Sequence, residues 1–153
     1  MKEEPGENYN KMKIYFSCSI IGDRQFQPAI SEFVFFLKEL GHEVLTERFA
    51  APDIQVKDGH IPAAQIYQRD MAWLKECDLV IAEVSSPSIG VGYEIGCSVS
   101  MGKRTLCIYR EGQKVSKMIL GNDHPCVQTS SYKEPEDARR IIKNWLDKNC
   151  TDR

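Results

Sequence analysis

The stretch of residues 80–96, VIAEVSSPSIGVGYEIG, constrains the fold of this chain most strongly. An apolar run comes first, followed by a small polar loop, two glycines and the carboxylate of Glu94. Short apolar runs bounded by turn-forming residues are typical of strands that are covered on both faces. We therefore expect a buried strand, a ligand-binding loop and the first turn of a helix that carries Glu94.

The loop after this strand combines features that suit an anionic ligand such as phosphate. Three serines, Ser88 among them, supply hydroxyl groups, and a helix N-terminus supplies free N–H groups and the positive end of a dipole. Gly90 and Gly92 are expected to permit a sharp turn and a close approach of backbone to the ligand. Because the same dipole favours negative charge, we expect Glu94 to stay ionised.

Short apolar runs alternate with helical periodicity along the chain. The predicted strands are residues 13–19, 42–47, 78–84, 104–109 and 126–129. The predicted helices are residues 27–40, 62–77, 91–101, 115–120 and 134–148. This alternation predicts an α/β fold with a parallel sheet and helices on both faces. We expect the strand order 2-1-3-4-5, with ligands bound at the switch point between strands one and three, and a long loop over residues 48–61.

Size and composition exclude several classes of protein. A chain of 153 residues favours one domain, and a net charge of −2 leaves no basic surface for a nucleic-acid partner. No apolar run approaches the length of a membrane span, and the polar N-terminus is unlike a signal peptide. We expect a disordered leader over residues 1–11 and a cytoplasmic location, with the nucleus as an additional one. Six cysteines without a CxxC pair favour reduced thiols over disulfides or zinc.

Two carboxylates fall on helix faces that should pack against the sheet. Asp70 lies within an apolar stripe of the second helix, and Glu94 has a similar position on the third. Because a buried carboxylate is costly unless it is paired or used, Asp70 is either a structural aspartate held by a backbone N–H or an arginine, or part of a site. Glu94, taken alone, is better explained as a surface glutamate favoured in the first turn of a helix. Together, two inward-facing carboxylates suit the cleavage of a glycosidic bond.

Tyr15 lies in the first strand, where a period of two places it on one face with Ser17 and Ser19. From the residues alone, its role is either core packing or support of the site. The glycine spacing GxGxxxG differs from the dinucleotide pattern and follows strand three instead of strand one, which excludes an NAD site. The three histidines do not cluster with acids or cysteines, so neither a metal nor a cofactor is expected.

Three segments resemble those of a known family: YFSCSI, RDMAWLKECDLVIAEVSSPSIGVGYEIG and KRTLCIYR. They resemble the 2′-deoxynucleoside 5′-monophosphate N-hydrolases of the nucleoside deoxyribosyltransferase superfamily. The resemblance covers residues 13–121 and is densest over residues 70–109. It implies a flavodoxin-like three-layer sandwich with a five-stranded parallel sheet, in which residues 12–150 form a single nucleotide N-hydrolase domain. It also implies a homodimer with shared active sites and a small nucleotide as substrate.

The resemblance also implies roles for individual residues in splitting the base from deoxyribose 5-phosphate. Glu94 would be the nucleophile, forming a glycosyl-enzyme ester that water later hydrolyses. Asp70 would assist departure of the base, and Tyr15 would orient or stabilise Glu94. The residues implied in substrate binding are Ser19, Ile20, Ile21, Gly22, Arg24, Ser88, Gly90, Ser116, Lys117 and Met118.

Within that set, the residues expected to hold the 5′-phosphate are Ser19, Gly22, Ser88 and Gly90. Ser116 matches a serine that in the family reaches the phosphate of the neighbouring subunit. The family often has an arginine at the position of Ile21, and Arg24 is the expected substitute. The apolar stripe of helix one extends to Phe35 and Phe36, which mark either an interface or a wider core face.

Two other functions are compatible with these residues. A deoxyribosyltransferase would use the same carboxylates but pass the sugar to a second base, and it should lack a phosphate clamp. A nucleotide-binding sensor of the same fold would bind without turnover, and the intact set of Glu94, Asp70 and Tyr15 argues against it.

Overall fold

A computed structural model describes residues 10–21 and 24–150, so the predicted leader lies almost wholly outside the described residues. The strands are β1 Lys13–Ser17, β2 Glu43–Val44, β3 Leu79–Glu83, β4 Arg104–Arg110 and β5 Val127–Tyr132. The helices are α1 Gln27–Glu39, α2 Ile54–Gly59, α3 Ala63–Glu76, α4 Ile89–Ser100, α5 Lys117–Leu120 and α6 Pro135–Asn149. The predicted alternation of strands and helices is confirmed.

The five strands form one parallel sheet in the order β2-β1-β3-β4-β5, as predicted. Phe16 of β1 pairs with Ile81 of β3, which pairs with Leu106 of β4, and all three side chains are fully buried. On one face of the sheet α1 packs against α6, while α3 contacts β1 and α4 contacts β3 and β4 on the other. The central strands are apolar at successive positions because helices cover both faces.

The second strand is shorter than the predicted residues 42–47, since only Glu43–Val44 pairs with β1. The buried side chain of Thr46 continues the pairing beyond the strand. Its hydroxyl accepts a hydrogen bond from the backbone N–H of Phe16 at 2.8 Å and donates one to the carbonyl of Phe16 at 2.7 Å. A side chain therefore satisfies the edge of β1 where backbone pairing stops.

The prediction of a long loop over residues 48–61 is wrong. A 3₁₀ helix, Glu47–Ala50, and α2 occupy most of this stretch. Both are anchored by apolar residues that enter the core, Phe49 and Ile54, which are almost fully buried. These helices are too short to show a periodicity, so tertiary packing rather than propensity holds them.

Several element ends also differ from prediction. α4 begins two residues earlier than expected because Ser88 caps it: its hydroxyl accepts a hydrogen bond from the N–H of Val91 at 3.3 Å. β5 is longer and starts later than residues 126–129, since its polar serines pair with β4 up to Tyr132. The predicted stop of α1 at Gly41 is confirmed by a positive φ of 89°.

Within the described ranges, no helix has both the length and the apolar character needed to cross a membrane. The same ranges contain no group of three His, Cys, Asp or Glu side chains that could hold a metal ion. All six cysteines are described, and each is a free thiol.

Candidate active site

Side chains from β1 and α4 meet beyond the switch point of the sheet. Ser17, the last residue of β1, donates a hydrogen bond to Oε2 of Glu94. Tyr15 lies on the same face and is fully buried. Its hydroxyl has no hydrogen bond of good geometry among the described residues, yet it is close enough to lower the pKa of Glu94. The predicted shared face of Tyr15 and Ser17 is therefore confirmed.

Glu94 titrates far from the usual range of a carboxyl group. Its pKa is raised to about 7: burial and the nearby charge of Asp70 raise it, and this rise exceeds the lowering by the hydrogen bond from Ser17 and by the nearby hydroxyl of Tyr15. The expectation that the helix dipole keeps Glu94 ionised is wrong. Because α4 starts at Ile89, Glu94 lies in the second turn, beyond the reach of the dipole, and desolvation prevails.

Asp70 faces the same cluster from α3. Burial raises its pKa, and the hydrogen bond from the neighbouring Arg69, whose Nε lies 2.8 Å from Oδ1, lowers it. The negative charge of Asp70 in turn raises the pKa values of both Glu94 and Tyr15. The three predicted catalytic residues thus form one electrostatically coupled group, and Asp70 is also held by an arginine.

The loop after β1 carries several of the predicted binding residues. The hydroxyl of buried Ser19 donates a hydrogen bond to the carbonyl of Ile21 at 3.2 Å. The carbonyl of Ile20 accepts one from Nε2 of Gln55 at 2.6 Å. The Ile21 side chain is 87% exposed, and Gly22 lies outside the described residues. This loop is therefore held through its backbone, with its apolar side chain free on the surface.

Arg24 braces this loop through its guanidinium group. It donates hydrogen bonds to the carbonyls of Ser19 at 2.6 Å, Phe49 at 3.1 Å and Ala51 at 3.2 Å. Both terminal nitrogens are thus occupied by backbone in this structure. The assignment of Arg24 to the phosphate stays a prediction, and contact with a phosphate would need these hydrogen bonds to be shared or exchanged.

The loop after β3 leads directly into the N-terminus of α4. Ser88 is the cap of that helix, while Gly90 and Gly92 lie inside its first turns with ordinary helical backbone. The predicted sharp turn at the two glycines is therefore wrong. A Cβ atom at Gly90 would meet only Ser88 Oγ, at 3.9 Å, and one at Gly92 would meet nothing within 4 Å. The space in front of this turn is open, as a ligand would require.

The remaining predicted binding residues lie at the start of α5. Ser116 caps this short helix by accepting a hydrogen bond from the N–H of Met118 at 3.2 Å, and Lys117 is its first residue. Ser116 and Met118 line a groove of about 460 Å³ together with Ser88 and neighbouring residues of α4. Neither Glu94 nor Asp70 lines this groove.

Exposed apolar side chains border that groove. Ile89 is 95% exposed and Met118 85% exposed. Of the two phenylalanines singled out on helix one, Phe35 is exposed, whereas Phe36 packs against the core. The more exposed apolar surface therefore lies on α4 and α5, whereas the periodicity of helix one had indicated a surface on α1.

The loop after β3 is supported by a buried carboxylate that was not predicted from the sequence. Glu83, the last residue of β3, accepts hydrogen bonds from the N–H of Ser85 at 2.6 Å, from the Ser85 hydroxyl at 3.0 Å and from the hydroxyl of Tyr132. Burial raises the pKa of Glu83, while these hydrogen bonds lower it. The one feature of the sequence that could have indicated Glu83 is the presence of an acidic residue within an apolar run.

Comparisons with known proteins identify the family to which this fold belongs. The family model described as nucleoside 2-deoxyribosyltransferase matches residues 14–138. A Methanococcoides burtonii protein, provisionally named a 2′-deoxynucleoside 5′-phosphate N-hydrolase, is 41% identical over 74% of this chain and 93% of its own. The 5-hydroxymethyl-dUMP N-hydrolase of Danio rerio is 41% identical over 89% of this chain and 96% of its own.

A solved structure shares the fold at low sequence identity. The CMP N-glycosidase of Clostridium botulinum superposes with a TM-score of 0.67 at 23% identity, covering 87% of this chain and 98% of that one. The matched residues include the whole cluster of Tyr15, Asp70 and Glu94. The chain therefore belongs to the nucleoside 2-deoxyribosyltransferase family and, within it, to the 2′-deoxynucleoside 5′-phosphate N-hydrolases that the sequence resembles.

Proposed function

We propose that this chain is a nucleotide N-glycosidase that hydrolyses 2′-deoxynucleoside 5′-monophosphates to the free base and 2-deoxyribose 5-phosphate. The observation that carries the proposal is the coupled cluster of Glu94, Asp70 and Tyr15 beside two loops suited to a phosphate. Relatives named as N-hydrolases support cleavage of the N-glycosidic bond. Two carboxylates are the usual requirement for such a reaction.

In the first step, ionised Glu94 attacks C1′ of the sugar as the bond to the base breaks. Asp70 donates a proton to the base, which departs neutral. In the second step, water attacks C1′ and gives up a proton to Asp70, which releases Glu94 as a carboxylate and restores both groups. The pKa of Glu94, about 7, leaves the attacking form populated at neutral pH, and the raised pKa of Asp70 favours proton donation.

Tyr15 and Ser17 support the nucleophile. The hydrogen bond from Ser17 and the nearby hydroxyl of Tyr15 both lower the pKa of Glu94, so both stabilise its ionised form, and the bond from Ser17 fixes one of its two oxygens. This leaves one carboxylate oxygen of Glu94 for attack on the sugar. Because both supporting side chains are fully buried in β1, they hold the carboxylate on a rigid element.

A phosphate clamp would supply binding energy remote from the scissile bond. Ser19, Ser88 and the N-terminus of α4 are the groups proposed to hold the 5′-phosphate, since free N–H groups at a helix start bind anions. Such energy positions the reacting carbon against the nucleophile. A relative named for 5-hydroxymethyl-dUMP makes 5-substituted uracil nucleotides the first candidates for the base.

Replacement of the nucleophile tests the proposed reaction. Glu94→Gln should keep the fold and lose nearly all release of free base, whereas Glu76→Gln, on the exposed partner of Lys13, should keep wild-type turnover. The substrates are deoxy- and ribonucleoside monophosphates, with 5-hydroxymethyl-dUMP included. Near-wild-type base release by Glu94→Gln would refute the assignment. Formation of a new nucleoside when a second base is added would favour a transferase.

We also propose that two subunits share each active site, with Ser116 of one chain at the phosphate of the other. The exposed apolar residues Ile89 and Met118 at the groove support a second copy as its occupant. Glu94→Ala and Ser116→Ala should each be strongly impaired. In a mixed dimer one site carries both changes and the other neither, so activity should return after joint refolding. A mixture no more active than the mean of its parents, with subunit exchange confirmed, would contradict a shared site.

A further inference from the structure

Arg69 joins Asp70 to a second carboxylate on a different helix. Its Nε donates a hydrogen bond to Asp70 Oδ1 at 2.8 Å. Its two terminal nitrogens donate to both oxygens of Asp58, in α2, at 3.2 and 3.0 Å. Asp58 is buried and also accepts a hydrogen bond from Arg48 at 2.7 Å. The planar guanidinium group is therefore fixed by three hydrogen bonds to two carboxylates.

Two aromatic rings fix the same group in the remaining direction. The guanidinium carbon lies 5.0 Å from the ring centre of Trp73 and 5.7 Å from that of Phe49. The Arg69 side chain is only 19% exposed. Stacking and bidentate pairing are properties that lysine cannot reproduce. The orientation of Arg69 is thus supported by Asp58, Trp73 and Phe49 as well as by Asp70.

We infer that Arg69, clamped by Asp58, is a positioning residue that holds Asp70 by one oxygen and keeps the other available to the departing base. Oδ2 of Asp70 accepts no hydrogen bond from the described residues, whereas Oδ1 is occupied. The role in catalysis rests on the proposed function, while the arrangement of the three side chains does not. Asp58 lies in α2, a helix that was not predicted from the sequence.

Titratable groups from five elements surround Asp70. Burial raises its pKa, Arg69 and Arg48 lower it, and the negative charge of Asp58 raises it. Glu94 and Tyr15 face it from α4 and β1. Burial alone would raise the pKa of Asp58, but hydrogen bonds from Arg69 and Arg48 hold it below the usual range. Arg69 and Asp58 therefore act on Asp70 in opposite directions.

Because Arg69 and Asp58 change the pKa of Asp70 in opposite directions, the inference can be tested without measuring turnover. The titration of the Asp70 side-chain carboxyl is followed by ¹³C NMR in the free protein, with folding checked by circular dichroism. Arg69→Gln should raise the pKa of Asp70, and Asp58→Asn should lower it. The matched control is Arg139→Gln, which removes an arginine paired at 2.7 Å with Glu32 away from the site and should leave Asp70 unchanged. A purely structural role for Arg69 would leave Asp70 unchanged or shift it in the same direction in both variants, and either result would overturn the inference.

Measurements of turnover separate the effect of Arg69 on the position of Asp70 from its effect on the charge of Asp70. Arg69→Gln should lower kcat about 100-fold with little change in KM, since small misplacements of a reacting group cost about that much. Arg69→Lys should bring the pKa of Asp70 back toward the wild-type value while kcat stays low, because lysine lacks the planar guanidinium group that pairs with both oxygens of Asp58. Full recovery of kcat by Arg69→Lys would refute positioning. If Glu94→Gln kept its turnover, the proposed function would fail while the titration result stood.

Discussion

The hydrogen bond from Ser17 to Glu94 gives the sharpest test of how this site works. Ser17→Ala removes one donor to the ionised form of a carboxyl whose pKa is already raised to about 7. Of the remaining effects, burial and the charge of Asp70 raise the pKa, and only Tyr15 lowers it. The variant should therefore titrate at a higher pH than the wild type.

The size of the change follows from the strength of the bond. A hydrogen bond to a charged group contributes about 1.5–3 kcal/mol, and about 1.4 kcal/mol corresponds to one pH unit. Because Glu94 is partly exposed, the lower end applies, and its pKa should move from about 7 to about 8. At about pH 6 the ionised fraction then falls roughly tenfold, whereas above about pH 9 the two proteins converge.

The assay is a ¹³C titration of the Glu94 carboxyl from acid to alkaline pH, followed by the pH dependence of kcat/KM for a nucleotide substrate. Ser98→Ala is the matched control. Ser98 is a fully buried serine of α4, the helix that carries Glu94, and its hydroxyl forms a hydrogen bond with Thr105 instead of Glu94. The control should titrate as the wild type. An unchanged or lower midpoint for Ser17→Ala would refute the electrostatic account of Glu94.

Three further predictions concern stability and the phosphate. The pKa of Glu94 is raised on folding to about 7, so its contribution to stability is present below its unfolded pKa and lost as pH rises through 7. In urea denaturation at about pH 8.5, Glu94→Gln should therefore be more stable than the wild type by up to about 3 kcal/mol. At about pH 4 the variant should be no more stable than the wild type. Thr46→Val leaves the buried N–H of Phe16 without its partner and should lower the free energy of unfolding by about 2–3 kcal/mol; a loss below about 0.5 kcal/mol would contradict the pairing role. Nucleosides without the 5′-phosphate should lose most of kcat in a base-release assay, and equal kcat with and without phosphate would exclude the clamp.

Local patterns in the sequence were sufficient for the fold. The apolar run that becomes β3 and the helical spacing of α3 and α6 predicted elements that the structure confirms. Apolar periodicity is strong here because the central strands and long helices bury a continuous face. The alternation of strands and helices predicted a parallel sheet, and the expected strand order is confirmed. Short elements fixed by distant partners were missed, as with α2, which Ile54 anchors in the core.

The sequence also pointed to the individual members of the site. Asp70 was exceptional within its own element, since a carboxylate on a packed face is unusual, whereas Glu94 gained weight only beside Asp70 and Tyr15 only through the family resemblance. Their meeting at the switch point is a property of the parallel sheet, in which the ends of β1 and β3 are neighbours. That part of the prediction could be made without coordinates.

Only the tertiary structure determined how these groups are tuned. Desolvation depends on everything that packs around a carboxyl, so the raised pKa of Glu94 could not be read from its helical position. The pairing of Arg69 with Asp58 joins two helices whose residues share no motif. Sequence patterns report the burial of a face over a few residues, whereas pKa values and clamps depend on atoms brought together from distant segments, and these are set when the chain packs.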